Sequence, residues 1–212
     1  MTRDAIFAFF SALAELNPNP QTELEFGNTY QLLVAVVLSA QATDAGVNKA
    51  TRALFAKVKT PAQMVQLGEE GLKAQIKTIG LFNSKARNVI ALSEKLIAEF
   101  GSEVPHDRDL LTSLPGVGRK TANVVMNCAF GMETFAVDTH VFRVCNRTGL
   151  ARGKTPEKVE ALLEKRVPGP FRLHAHHWLI LLGRYTCKAR TPECWHCPVV
   201  AQCAFKPKNL ER

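Results

Sequence analysis

The chain has 212 residues, 46% apolar and 22% charged, a composition typical of a globular protein that forms one sizeable domain or two lobes. Its first ten residues lack the pattern of a secretory signal. Its longest apolar run, 32–38, is too short to cross a bilayer, so we expect neither secretion nor a membrane span. The net charge of +8 is uneven, because residues 1–110 sum to −1 and residues 111–212 to +9. A basic half indicates a polyanion-binding face, although a merely well-solvated surface gives the same excess.

Apolar residues recur at helical spacing along the chain, and strand patterns are scarce. The first amphipathic helix ends before the Asn-Pro-Asn-Pro segment at 17–20. The next, over 30–40, is apolar on most sides and is predicted to be central and buried. Thr43 or Asp44 is suited to cap a third helix, and Thr60 followed by proline to start a fourth. Further helices are predicted over residues 84–100, 110–114, 118–130, 137–148, 155–167 and 171–185. The pattern predicts an all-α protein.

The segment LPGVGRKTA lies between two of these helices. Gly116 and Gly118 bracket Val117 and predict a tight turn whose backbone can lie close to a ligand. The first N–H groups of the next helix have no partner within that helix, so the turn is suited to bind phosphate without reading sequence. An ordinary corner between helices is the simpler interpretation. Lys120 in the first helical turn, with Arg119 beside it, favours the phosphate site.

Asp138, in the segment AVDTHVFR, lies near the predicted start of another helix. Its carboxylate is suited to cap that helix by accepting hydrogen bonds from the first N–H groups. A carboxylate beside an amine is also suited to accept its proton or to stabilise a nearby cation. The residues alone leave both interpretations open.

Four cysteines near the C-terminus, spaced C-x6-C-x2-C-x5-C, predict one metal site with Cys187, Cys194, Cys197 and Cys203 as ligands. Tetrathiolate coordination suits zinc or an iron–sulfur cluster. A single close pair with wider outer spacings favours the iron–sulfur cluster. Disulfides are the alternative, but nothing in the sequence indicates an oxidising compartment. Cys128 and Cys145 lie in apolar helical surroundings, and we interpret both as core residues.

The motifs LPGVGRKTA, VDTH and the cysteine pattern together resemble the endonuclease III family of DNA glycosylases. The resemblance extends to SAQATD, TIGLFNSKA and HHWLILLGRYTC. It implies a bifunctional repair enzyme that excises oxidised pyrimidines and then cuts the strand 3′ to the abasic site. By the same resemblance, Lys120 is the nucleophile, Asp138 assists it, and the four cysteines hold a [4Fe-4S] cluster. Gln41 and Leu81 would enter the duplex, although core burial is the simpler interpretation of Leu81.

The resemblance also implies the partner, double-stranded DNA containing a damaged pyrimidine or an abasic site. Contacts to this DNA are expected from the following residues: Leu114, Gly116, Val117, Gly118, Arg119, Thr121, Arg143, Arg147, Lys188 and Arg190. We expect a cytoplasmic, nucleoid-associated monomer. It should have a six-helix barrel-like lobe with the helix-hairpin-helix at 22–132, and an iron–sulfur lobe formed by 1–21 and 133–212. The active site is expected in the cleft between these lobes, where Lys120 and Asp138 would face each other.

Three other functions fit parts of the pattern. A monofunctional relative, such as an adenine-mismatch glycosylase, would share the hairpin and the cluster but would use water and need no lysine. A non-catalytic DNA-binding module would use the hairpin as a grip and the metal only for folding. An electron carrier fits poorly, because the close Cys-x2-Cys-x2-Cys run is missing.

Overall fold

A computed structural model describes residues 1–211 and confirms the all-α prediction, with no β-strand in that part of the chain. The α-helices are α1 Arg3–Leu16, α2 Thr29–Leu38, α3 Asp44–Lys57, α4 Pro61–Ile76, α5 Phe82–Phe100, α6 Arg108–Thr112, α7 Arg119–Phe130, α8 Thr139–Thr148, α9 Pro156–Arg166 and α10 Arg172–Leu181. A 3-10 turn, Gly169–Phe171, precedes α10, and a π turn, Leu182–Thr186, follows it. None of the described helices is both long and apolar enough to cross a membrane.

The chain divides into two compact units. Unit 2 is the continuous stretch Glu23–Gly131, which contains α2 to α7. Unit 1 combines Met1–Thr22 with the chain from Met132 onward, and contains α1 and α8 to α10. The lobe boundaries expected from the sequence fall at residues 21/22 and 132/133.

Unit 2 is built around α2, whose residues from Tyr30 to Leu38 are all buried. A helix that is apolar on every side needs neighbours on every side, and α2 contacts α3, α5 and α7. The pair α4 and α5 packs along most of its length, and α6 packs on α7. These contacts fix the start of α5 and the start of α7 in one unit.

Unit 1 joins the two ends of the chain through aromatic packing. Phe9 and Phe10 of α1 are fully buried. The Phe10 ring stacks on Phe171 with centroids 5.8 Å apart and lies 6.3 Å from the ring of Trp178. A short first helix is marginal by itself, so this burial stabilises it. Helix α8 in turn contacts α9, α10 and the π turn.

Helix starts differ from the predicted ones where a capping side chain decides. Helix α6 begins at Arg108, two residues early, because the Asp107 carboxylate accepts hydrogen bonds from the N–H groups of the next turn. Helix α8 begins at Thr139 and not at residue 137, because Asp138 caps it. Helix α5 also begins early, at residue 82 instead of 84, but its N-cap residue Leu81 makes no capping hydrogen bond.

The helix predicted over 171–185 is observed as α10, which the π turn Leu182–Thr186 continues without interruption, so the segment is helical throughout but widens near its end. Gly183 of the π turn lies against α8, so closely that a Cβ atom there would be 2.8 Å from the Cβ of His140. Only glycine permits this approach, which places the π turn on the first turn of α8.

Candidate functional site

The turn between α6 and α7 is a closed hairpin. The N–H of Leu114 donates to the carbonyl of Leu111, and the N–H of Val117 donates to the carbonyl of Leu114, both at 3.1 Å. The side chains of Leu114 and Val117 are buried. The turn is therefore tied to its own unit by apolar side chains, which leaves its polar backbone at the surface.

Gly116 is required at the tip of this hairpin. Its φ of +77° lies in the left-handed region, and a Cβ atom would lie 2.9 Å from the Cβ of Asn88 in α5. Gly118 has an extended backbone, and a Cβ there would meet nothing within 4 Å. The two glycines thus serve different purposes, because only the first is fixed by backbone conformation and close packing.

Helix α7 begins with N–H groups that no side chain caps. Gly118 occupies the N-cap position without a capping hydrogen bond, and the first turn has no acidic residue. The N-terminus of a 12-residue helix carries a partial positive charge that favours an anion. Arg119 is exposed and Thr121 half-buried in this first turn. The hairpin and α7 together form the phosphate-type site that the sequence predicts.

Lys120 lies in the same first turn, and its side chain is exposed. The second residue of a helix points back towards the helix N-terminus, which here follows the hairpin. The amine is therefore open to a large ligand and not enclosed in a pocket of unit 2.

Gln41 and Leu81 lie on two neighbouring loops of unit 2. Both have left-handed backbones, with φ of 53° and 59°. A Cβ atom at Gly80 would lie 4.0 Å from the carbonyl oxygen of Gln41, which shows how close the loops are. Leu81 is 57% exposed, so the structure excludes the simpler interpretation of core burial. An exposed leucine on a strained turn is typical of a residue that contacts a ligand.

Asp138 caps α8 with one oxygen of its carboxylate. Its Oδ1 accepts from the N–H of His140 at 2.9 Å and from the N–H of Val141 at 2.8 Å. Its Oδ2 accepts no hydrogen bond from residues 1–211. The cap and the functional interpretation are therefore compatible, because Oδ1 fixes the carboxylate while the half-buried group keeps Oδ2 for another partner.

Arg143 binds backbone carbonyl groups instead of facing solvent. Its Nε donates to the carbonyl of Cys187 at 3.0 Å, and its Nη2 donates to the carbonyl of Gly183 at 2.7 Å. The same Nη2 lies 3.2 Å from Nδ1 of His140. Burial lowers the pKa of Arg143, although a guanidinium stays charged. Two of its donor nitrogens therefore bind carbonyl groups within unit 1, and the predicted phosphate contact of Arg143 stays a prediction.

Arg147, one helical turn further along α8, has a similar role. Its Nη1 and Nη2 donate to the carbonyl groups of Lys188 and Ala189, each at 2.6 Å, and its guanidinium lies 5.0 Å above the Phe205 ring. Nη1 also lies 3.8 Å from the Cys187 sulfur. The two arginines thus hold the start of the cysteine segment, which we define as residues 187–203.

Lys188 and Arg190 lie on the outer side of this segment. Both side chains are exposed. Lys188 forms an ion pair with Glu193. Arg190 makes no ion pair or hydrogen bond to any residue of the described range, so its guanidinium is open to solvent and to an anion.

The four predicted cysteine ligands line one cavity of about 380 Å³ in unit 1, open volume included. All four are free thiols, each half-buried. Burial raises the pKa of Cys197 to about 11, and the other three cysteines add to the effect because their charges would repel. No three His, Cys, Asp or Glu side chains in residues 1–211 converge on a position for a single metal ion.

The remaining cysteines differ from each other. Cys145 on α8 is fully buried, and burial raises the pKa of its thiol, as expected of a core residue. Cys128 on α7 is only half-buried. Burial raises its pKa to about 11, with the Lys120 ammonium acting in the opposite direction.

Comparison with known proteins adds to this geometry. Residues 34–169 match the family model of the HhH-GPD superfamily of base excision DNA repair proteins. Endonuclease III of Rickettsia conorii is 57% identical over 205 residues, covering 97% of this chain and 98% of the relative. Endonuclease III of Escherichia coli K12 is 58% identical over 196 residues, covering 92% and 93%.

Solved structures show the same likeness. A trapped endonuclease III–DNA covalent intermediate superposes with a TM-score of 0.90 at 45% identity, covering 96% of each chain. A thermostable thymine-DNA glycosylase gives a TM-score of 0.84 at 26% identity, covering 95% of this chain and 96% of that one.

The helix-hairpin-helix fold and the matching family model define a base excision DNA repair protein of the HhH-GPD superfamily. Within that superfamily, the chain belongs to the endonuclease III family, whose members are DNA glycosylases with abasic-site lyase activity. The adenine-mismatch, non-catalytic and electron-carrier interpretations are not favoured by these similarities.

Sequence reasoning missed two residues of the site, His140 and Gly183. His140 bridges the cap and the arginine, since its N–H donates to Asp138 and its ring contacts Arg143. The Gly in LGRYTC was visible as a glycine in a helical pattern, which indicates close backbone approach. The sequence does not indicate which residue this glycine approaches.

The hairpin geometry predicts unequal effects of two alanine substitutions. Gly116→Ala should destabilise the fold by about 1–2 kcal/mol, because its left-handed φ and its contact with Asn88 both disfavour a Cβ atom. Gly118→Ala should change the free energy of unfolding by less than about 0.5 kcal/mol. Urea unfolding followed by far-ultraviolet circular dichroism measures both, and equal effects would contradict this interpretation.

The internal role of Arg143 predicts a stability loss confined to unit 1. Arg143→Met should cost about 2–4 kcal/mol, because several charged hydrogen bonds to carbonyl groups are lost together. Arg190→Met is the control, and its effect should stay within about 0.5 kcal/mol. The two tryptophans of the chain, Trp178 and Trp195, both lie in unit 1, so denaturant titration by tryptophan fluorescence reports this unit. If Arg143→Met left the free energy of unfolding unchanged, the guanidinium would not be bound to these carbonyl groups.

Proposed function

We propose that the chain acts on duplex DNA that contains a damaged pyrimidine or an abasic site, and that it does so through Lys120. The observation that carries the proposal is the exposed amine of Lys120 in the uncapped first turn of α7, directly after the hairpin. A phosphate bound to the hairpin amides would bring the sugar of a neighbouring nucleotide to this amine.

The proposed reaction is nucleophilic substitution followed by elimination. The neutral Nζ of Lys120 forms a bond to the sugar C1′ while the glycosidic bond breaks, and the electron pair leaves with the base, which takes a proton. Nζ loses a proton, and ring opening gives a Schiff base. Loss of the C2′ proton then breaks the C3′–O bond, so the 3′ phosphate leaves. Water hydrolyses the Schiff base and frees the lysine.

Asp138 is proposed to assist this sequence as a carboxylate. Its Oδ1 is held by two backbone N–H groups, so the group is already oriented without further ordering. Its Oδ2 is suited to take the proton that Nζ loses or to stabilise the cationic intermediates. The expectation that Asp138 and Lys120 face each other stays a prediction.

Opening of the duplex is assigned to Leu81 and Gln41. A base inside a duplex is out of reach of any amine, and extruding its nucleotide costs a few kcal/mol. An apolar wedge and a polar side chain that fills the vacancy offset part of that cost. The exposure of Leu81 and the proximity of the two loops support this assignment.

DNA affinity is assigned mainly to phosphate contacts that read no sequence. The amides of the hairpin, with Leu114, Val117 and Thr121 shaping the turn, are the first source. The exposed Arg190 is a second, together with Lys188 once its ion pair opens. Arg143 and Arg147 are ranked below these residues, because backbone carbonyl groups already accept hydrogen bonds from several of their donors.

The four cysteines are proposed to hold a [4Fe-4S] cluster. Four thiols around one cavity fit a group that takes four thiolates, and their mutual repulsion would be relieved by the bound iron. When bound, such a cluster cross-links the four sulfurs and supplies an electron-transfer centre. The cysteine segment contains only one 3-10 turn, Cys194–His196, so this cross-link would hold a segment with little helix of its own.

The nucleophile assignment predicts the behaviour of Lys120→Gln. This variant keeps side-chain length and polarity but has no amine, so borohydride trapping should be lost and strand cleavage should fall about a thousandfold or more. Gel-shift affinity for undamaged duplex should be retained. Lys57→Gln, which changes an exposed lysine at the end of α3, should keep full activity. Excision at near-normal rate in Lys120→Gln would mean that water attacks and Asp138 activates it.

The cluster assignment predicts the properties of Cys194→Ser. The purified wild-type protein should show the visible absorption of thiolate-ligated iron, and the variant should lose it together with the stability of unit 1. Cys145→Ser is the control, since this buried thiol lies outside the cavity lining and should leave the absorption unchanged. A colourless wild-type protein with stoichiometric zinc would refute the assignment.

A further inference from the structure

Lys85 is a buried lysine of unit 2 that the proposed mechanism does not use. Its side chain is 4% exposed, and its Nζ has no hydrogen-bond partner among the described residues. Lysine is almost never fully buried unless it is paired, and desolvation lowers the pKa of Lys85. A methionine would fill the same space without a buried amine. A partner that is absent from the free protein would account for the lysine.

The direction of the side chain follows from its place in α5. Lys85 is the fourth residue of the helix, and its backbone N–H donates to the carbonyl of Leu81 at 3.0 Å. Helical side chains point back towards the N-terminus and cover the preceding turn. Its amine is therefore directed to the inner side of the Leu81 turn, while the Leu81 side chain is exposed on the outer side.

The two turns near the start of α5 have strained backbones. Of the described non-glycine residues with positive φ, Gln41 and Leu81 lie on these neighbouring loops, and Ser102 lies at the other end of α5. Leu81 occupies the N-cap position of α5 without making a side-chain cap. Such strain is typical of segments that clamp a ligand or that have a second arrangement. The amine of Lys85 is a buried donor without an acceptor beside these loops. This favours the explanation that the loops have a second arrangement.

We propose that Lys85 is a positioning residue for duplex opening, whose amine donates to backbone carbonyl groups of the Gln41 and Leu81 loops in their DNA-bound arrangement. This inference rests on the proposed function, in which those two side chains enter the duplex. In the free protein the amine is unpaired, and in the opened complex it gains acceptors. Lys85 therefore stabilises only the state in which the base stack is open, which is the condition for raising the rate of excision.

The test compares Lys85→Met with Lys57→Met, the latter changing an exposed lysine of α3. Lys85→Met should raise the thermal midpoint of the free protein, because an unpaired buried amine is replaced by an apolar group of similar length. Single-turnover excision from damaged duplex should fall about tenfold or more, as for loss of a charged hydrogen bond. The fluorescence of 2-aminopurine placed beside the lesion should show less opening. Lys57→Met should change none of these quantities.

A substrate that needs no opening separates this role from the chemistry. Borohydride trapping of an abasic site in a single-stranded oligonucleotide should proceed equally in wild type and Lys85→Met, because no stack has to open. If wild type gives no trapped product even with duplex DNA that contains an abasic site, the proposed function fails, whatever Lys85 does. If only Lys85→Met loses trapping, the lysine acts in the chemistry, and the positioning role is wrong.

Three other results would also overturn the inference. A more stable Lys85→Met with unchanged excision would make the lysine inert. A less stable variant would show that the amine is already paired in the free protein. Weaker binding to undamaged duplex, with a salt slope lower by about one, would show that the amine contacts a phosphate directly.

Discussion

Unit 1 depends on charged hydrogen bonds from two arginines of α8 to backbone carbonyl groups. The cysteine segment has little regular structure, so most of its carbonyl groups lack helical partners. A guanidinium offers five donors in a rigid plane and stays charged when half-buried, which suits it to collect several carbonyl groups at once. Arg143 and Arg147 do this for the start of the segment. Because Asp138 caps the same helix, α8 positions the carboxylate at one end and the cysteine segment along its side.

The two parts of unit 2 that are proposed to contact DNA need opposite mechanical properties. The hairpin must present fixed N–H groups, and it is held by buried Leu114 and Val117 and by the contact of Gly116 with α5. In the proposed function the loops of Gln41 and Leu81 intrude into a base stack, and both residues have strained, left-handed backbones. Both parts share α5 as a support, since one packs on Asn88 and the other precedes Phe82.

The sequence predicted most features that depend on neighbours along the chain. Helical periodicity, the paired glycines of the hairpin and the capping position of Asp138 are local properties, and the structure shows each of them. The functions of charged side chains were harder to predict, because they depend on which carbonyl or phosphate lies opposite. Arg143 and Arg190 look alike in the sequence, yet one is bound to Gly183 and Cys187 while the other is exposed.

Whether a single side chain is exposed or buried was also difficult to predict from the sequence. A leucine in TIGLFN is more often inside than outside, and a lysine in NSKA is more often outside than inside. The structure departs from both tendencies, with Leu81 exposed and Lys85 buried. One helical turn separates them, and the left-handed backbone of Leu81 is what turns its side chain outward. Sequence periodicity carries no information about a single residue that leaves the helical conformation.

At Gly118, a capping side chain would increase the stability of α7 but would weaken its proposed binding of phosphate. A serine or aspartate there would stabilise α7 by roughly a few tenths of a kcal/mol, because its oxygen would accept from the first N–H groups. The same oxygen would compete with a phosphate for those donors, and aspartate would also repel it. Selection for thermal stability and selection for DNA affinity therefore pull this position in opposite directions. Engineering that adds helix caps wherever they are absent would improve the fold here at the expense of the enzyme.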